Sequence, residues 1–120
     1  MQHGIGWFKI GTANPEVTEA FYGQLFGWEF SGDAPYRTAV TPAERSIRGG
    51  VYATGGHAPD YAVFCVVVAD VPATIEQAQA AGGKVIVPPQ ANPDGVVHAH
   101  LLDPNGTHFA VYSPPPGKDS

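Results

Sequence analysis

The stretch VHAHLLDPNGTHFAVY, Val97 to Tyr112, decides the fold, because it joins two β-type runs through a turn and carries three of the five histidines of the chain. Alternation puts His98, His100 and Leu102 on one face of the first run and His108, Ala110 and Tyr112 on one face of the second. Between them stands Asp103-Pro104-Asn105-Gly106. Proline pre-sets φ for an early turn position, Asn and Gly tolerate positive φ, and Asp accepts from the amides that follow it, so the segment reads as an antiparallel hairpin. If parity across the turn lets the two faces coincide, three imidazoles come close together.

Working outward, the preceding residues repeat an order seen earlier in the chain. Gly4 to Gly11 reads as a strand with Trp7 and Lys9 on one face and Phe8 and Ile10 on the other. Asn14 is a good N-cap and Pro15 fits the first helical position. Val17, Ala20, Phe21 and Leu25 fall on one stripe, so Asn14 to Phe26 is expected to be an amphipathic helix that covers a sheet and ends at Gly27. Trp28 to Phe30, Tyr36 to Val40 and Ile47 to Ala53 read as three strands.

After Gly55-Gly56 the order begins again. Tyr61 to Val68 is a strand apolar on both faces and so expected at the centre of a sheet. Asp70 caps a helix, Val71 to Ala81, ended by Gly82-Gly83, and Lys84 to Val87 is a short strand running into Pro88-Pro89. A shift of 56 places Asn14 on Asp70, Trp7 on Val63 and Gly27 on Gly83, and a shift of 60 aligns Gly50-Val51-Tyr52 with Ala110-Val111-Tyr112. Two βαβββ modules, about 4–55 and 60–113, therefore make up one domain spanning 1–120. The expected class is α+β, a curled, cup-shaped mixed sheet with helices on its outer face. The tail, 114–120, has nothing to bury and is expected to be mobile.

Composition limits the partners. With 120 residues, 43% hydrophobic and 14% charged, the chain can bury a modest core. A formal charge of −5 and a pI near 5.3 argue against nucleic acid or an anionic membrane surface. The longest apolar run, Tyr61 to Ala69, is too short to span a bilayer. The single cysteine, Cys65, can form no internal disulfide and no signal peptide is visible, which fits a cytoplasmic protein. Uncovered strand edges of so short a curled sheet lead us to expect a homodimer.

Phe21-Tyr22-Gly23 with Leu25-Phe26-Gly27-Trp28, then Gly49-Gly50-Val51, Val68 to Gly83 and Asp103-Pro104-Asn105-Gly106, resemble the vicinal oxygen chelate superfamily of glyoxalase I, bleomycin-resistance proteins and extradiol dioxygenases. The resemblance covers nearly the whole chain and implies paired βαβββ modules. It also implies a divalent metal held by His or Glu from the first and last strand of each module. Those positions fall here on Trp7, Gly50, Val63 and Ala110, none of which offers a lone pair to a metal. No metal or other cofactor is therefore expected, and glyoxalase I chemistry, which needs the metal to polarise its substrate, is not expected either.

What remains is a small-molecule cup. By the resemblance, an active-site tyrosine of extradiol dioxygenases falls at His100, so His100, His98 and His108 are the candidate catalytic residues, as acid and base near neutrality. Trp7, Lys9, Gly50, Val63, Cys65, Ala110 and Tyr112 are the candidate substrate-binding residues. Two functions follow. One is a metal-independent lyase or isomerase that uses the histidines for isomerisation, ring opening or cyclisation of an aromatic or polyketide-like metabolite. The other is a non-catalytic protein that sequesters a drug or metabolite. A metal relocated to the three histidines is a third arrangement.

Overall fold

A computed structural model describes residues 1–117. The last three residues of the tail expected to be mobile lie outside the described residues. Elements follow in the order β1 (Ile5–Thr12), α1 (Pro15–Phe26), β2 (Glu29–Ser31), β3 (Tyr36–Val40), β4 (Gly49–Ala53), β5 (Tyr61–Val67), α2 (Val71–Ala80), β6 (Lys84–Ala91), β7 (Val97–Leu102) and β8 (His108–Ser113). The α+β class and the doubled βαβββ order are as the sequence implies. Contacts divide the chain into two compact units, Trp7–Val63 and Met1–Gly6 with Phe64 onward.

In the unit 7–63 the strand order is β2-β3-β4-β1, with β4 parallel to β1 and antiparallel to β3. The side chain of Asn14 accepts from the amide of Val17 at the start of α1, and Gly27, at φ 75°, closes its end by donating to the carbonyl of Gly23 at 2.9 Å. The expected apolar stripe does not cover the sheet: Val17, Phe21 and Leu25 are 63%, 58% and 56% exposed. The face next to it does the anchoring. Thr18 donates to the hydroxyl of Thr12 at 2.9 Å, Glu19 pairs with Arg37 at 2.8 Å, and the Tyr22 ring stacks on Trp28 at 5.1 Å. One large stacked pair and two polar anchors set which side of the helix faces the sheet, and it is not the most apolar one.

In the other unit the order is β5-β8-β7-β6, again with one parallel pair, β5 with β8, and antiparallel neighbours elsewhere. Asp70 caps α2 as Asn14 caps α1, accepting from Ala73 at 3.0 Å. Here the helix does cover the sheet. Val71 and Ile75 pack with Val68, Ala99, Leu101 and Val111 in the core of this unit.

One strand is buried on a single face, and one strand end needs correction. The outward side of β5 is not buried, since Phe64 is 46% exposed while Val63, Cys65 and Val67 on the alternate side are buried. And β6 does not stop at Val87: it runs on through Pro88-Pro89 to Ala91, with register shifts on either side of Val87. Such irregularities release a strand from the ladder bonds that proline cannot donate, so the prolines bend the strand instead of ending it.

Candidate functional site

The turn after β7 settles the parity left open by the sequence. The Asp103 carboxylate accepts from the amides of Asn105 and Thr107 at 2.8 and 3.0 Å, its carbonyl accepts from Gly106 at 2.8 Å, and Gly106 takes φ 87°. This turn fixes a register of His98 with Tyr112, His100 with Ala110 and Leu102 with His108. All six therefore share a sheet face, opposite the one on which Ala99, Leu101 and Val111 meet α2.

Within this face His100 and His108 are diagonal neighbours. Their rings lie 5.0 Å apart at 50°, with Nδ1 of His100 2.8 Å from Nε2 of His108. One nitrogen must donate and the other accept, so the two imidazoles share one proton. His100 is buried at 3% exposure and His108 is half-buried. His98 lies a pleat further along the same face, opposite Tyr112.

Ala110 lies between His100 on β7 and Cys65 on β5, since it pairs with both. Its methyl group keeps the middle of this row low. Cys65 is buried. Burial, and then the proximity of Cys65, raise the Tyr112 hydroxyl above its ordinary pKa, so it stays protonated at neutral pH and is available as a donor.

The unit 7–63 gathers the remaining predicted residues except Cys65, Ala110 and Tyr112. Lys9 pairs with Gly50 across β1 and β4. At shifts of 56 and 60 this is the counterpart of Cys65 with Ala110, so the internal repeat reappears as strand register. Lys9 is 9% exposed, and its Nζ lies over the rings of Tyr36 and Tyr52 at 5.6 and 5.2 Å. The Trp7 indole donates to the Tyr36 hydroxyl at 3.0 Å. Gly50 makes room for this, because a Cβ there would run into the Tyr36 ring. Val63 is buried at 7% exposure.

Tyr36 and Tyr52 belong to this arrangement and escaped the sequence reading. Tyr52 was within reach, as the repeat aligns it with Tyr112. Tyr36 had no signal, since its place over Gly50 follows from the register of β3 on β4.

A family model for the glyoxalase/bleomycin resistance protein/dioxygenase superfamily matches residues 4–111. The chain belongs to that superfamily. Solved structures share the fold at low identity. A hypothetical protein of Bacillus halodurans C-125 matches with a TM-score of 0.69 and 12% identity over 100% of both chains. Methylmalonyl-CoA epimerase of Mycobacterium tuberculosis matches at 0.61 and 14%, over 94% of this chain and 89% of that one. The Mn(II)-bound glyoxalase of Novosphingobium aromaticivorans matches at 0.64 and 22%, over 95% of this chain but 40% of that one. No curated protein matches the chain.

The residues present do not fit the metal that catalytic members of this superfamily hold. At the positions that the resemblance assigns to metal ligands, Trp7, Gly50, Val63 and Ala110 supply an indole, a hydrogen, an isopropyl and a methyl group, none of which can ligate. Among the described residues no group of three or more His, Cys, Asp or Glu side chains is placed to hold a metal ion, and this includes the three histidines. No helix of the described residues is long and apolar enough to cross a membrane.

Proposed function

We propose that the protein is a metal-independent enzyme that moves a proton on an aromatic or polyketide-like metabolite, by isomerisation, ring opening or cyclisation, with His100 and His108 as the acid–base pair. The observation that carries this reading is the 2.8 Å contact between Nδ1 of His100 and Nε2 of His108. A proton taken up on the far nitrogen of one ring lets the shared proton cross, and the far nitrogen of the other ring can then release one. Uptake at one place and return at another is what an isomerisation or an enol-forming ring closure requires. Tyr112, kept protonated, is the donor for a developing oxyanion, His98 orients it from the facing strand, and Cys65 and Ala110 form the floor. Trp7, Lys9, Gly50 and Val63 contribute ligand-binding surface in the unit 7–63.

The test does not require the natural substrate. The protein is incubated in D2O with enolisable aromatic and polyketide-like ketones, and deuterium entering the carbon beside the carbonyl is followed by proton NMR. Replacing His100 or His108 by Gln should slow the exchange by about a hundredfold or more, within the usual contribution of a general acid or base. Undiminished exchange in the double variant would sink the proposal. Binding with no exchange in the wild type would favour the second reading, a sequestering protein, for which the aromatic surroundings of Lys9 speak.

The working form proposed is a cytoplasmic homodimer. A second copy would cover the exposed stripe of Val17, Phe21 and Leu25. Sedimentation at micromolar concentration that gave one species of 12.6 kDa would contradict the dimer.

A further inference from the structure

We infer that the sheet face of the unit 7–63 binds a monocyclic aromatic carboxylate, and that the ring of Tyr36 occupies that ligand's place. Gly50 leaves a slot in the middle of β4 that the Tyr36 ring fills so closely that a methyl group on Gly50 would not fit beside it. The Nζ of Lys9, a residue 9% exposed, lies over the face of the ring that fills the slot, and Tyr52 and Trp7 stand around it. The slot thus has the dimensions of a single six-membered ring, with the Lys9 amine above its face.

Tyr36 is suited to leave. It opens β3, is 40% exposed, and is held at its hydroxyl by the indole of Trp7. Its ring face attracts the ammonium only through the quadrupole, whereas a carboxylate in the same position would accept charge-assisted hydrogen bonds from it. A planar ring bearing a carboxylate therefore keeps the aromatic contact that Tyr36 makes with Tyr52 and adds a charge pair with Lys9. An uncharged ring gains only the stacking, and an aliphatic acid only the charge.

This inference rests on the proposal that the face bearing Trp7, Lys9 and Gly50 binds a small molecule, and not on proton transfer at His100 and His108. A protein that exchanges deuterium but ignores aromatic acids would refute this inference alone. One that binds them without exchanging would leave it standing.

The experiment is a titration of the 15N-labelled protein with benzoate, read at the indole N–H of Trp7, with the indole of Trp28 as internal control. Benzoate should move the Trp7 resonance saturably, and benzamide and cyclohexanecarboxylate should bind at least about tenfold more weakly. Tyr36→Ala, which vacates the slot, should tighten benzoate at least about tenfold. Lys9→Met added to Tyr36→Ala should cancel that gain. If Tyr36→Ala does not fold, the wild type and Lys9→Met alone decide the matter by the same resonance. A Trp7 signal indifferent to benzoate, or equal affinities with and without Lys9, overturns the inference.

Discussion

Gly50→Ala is a small change whose cost can be worked out from the Tyr36 contacts. The added Cβ would stand 2.7 Å from Cε1 of Tyr36, and closer still to Cζ and the hydroxyl. The obstacle is the outer end of a side chain that is 40% exposed, so the ring swings out and the backbone stays. Lost with it are the hydrogen bond from Trp7, worth about 1 kcal/mol, and the contact with the Lys9 ammonium, worth roughly 0.5–1 kcal/mol. Against this, alanine within a strand regains about 0.5–1 kcal/mol over glycine. The net is a destabilisation of about 1 kcal/mol, or a fall in Tm of about 4 °C for a chain of this size. Because the whole loss passes through Tyr36, Gly50→Ala should cost nothing further in a Tyr36→Ala background. The equivalent register position in the other unit already carries a methyl group, at Ala110, so the backbone there has no objection to one. Thermal melts of the two single variants and the double variant, followed by far-ultraviolet circular dichroism, provide the check. Additive losses, or a Gly50→Ala protein as stable as the wild type, would refute the reasoning.

Other outcomes follow from single features. Asp103→Ala removes the acceptor of two turn amides and should cost about 1–2 kcal/mol by chemical denaturation; an unchanged midpoint would mean that the turn holds its shape without the carboxylate. Tyr112 has a folded-state pKa above its ordinary value of 10.0. The folded state therefore holds this proton more tightly than the unfolded one, and the associated stability is intact below pH 10 and is lost as pH rises past that value. Tyr112→Phe should flatten the alkaline fall in stability, measured as denaturation midpoints at pH 9 to 11, and parallel curves for the two proteins would contradict it. His100→Gln should be milder than His100→Ala in thermal melts. The imidazole is buried at 3% exposure, and its removal leaves both a cavity and a stranded partner on His108, costing about 2 kcal/mol.

Local signals carried much of this fold. The caps at Asn14 and Asp70, the glycine at Gly27 and the turn at Asp103 act within a few residues, and each does in the structure what its chemistry implies. What was hidden depends on partners far along the chain. The stripe of Val17, Phe21 and Leu25 looks like a buried face because periodicity records only where apolar residues fall. The orientation of α1 was decided by Trp28, Arg37 and Thr12, which the helix pattern does not contain. Pro88-Pro89 read as a strand end because proline removes a ladder donor, and only the bulged pairing with β7 shows how the strand continues. For the candidate site, alternation placed His98 and His100 on one face of β7 and His108 on one face of β8, and left open whether those faces coincide. It could not rank the distances among them, and the diagonal that joins His100 to His108 follows from the turn register. The slot at Gly50 needed a third strand to become visible.

The most direct test of the central claim, that His100 and His108 act as one acid–base unit, is a pH titration of their ring nitrogens by 15N NMR in the wild type and in each Gln variant. With Nδ1 and Nε2 only 2.8 Å apart, the space between the rings holds one proton, so the second proton must break the contact. The account predicts that both rings register the same titration steps, and that this shared response disappears when either partner is replaced. Two independent single-step curves, unchanged by the loss of the other ring, would contradict it.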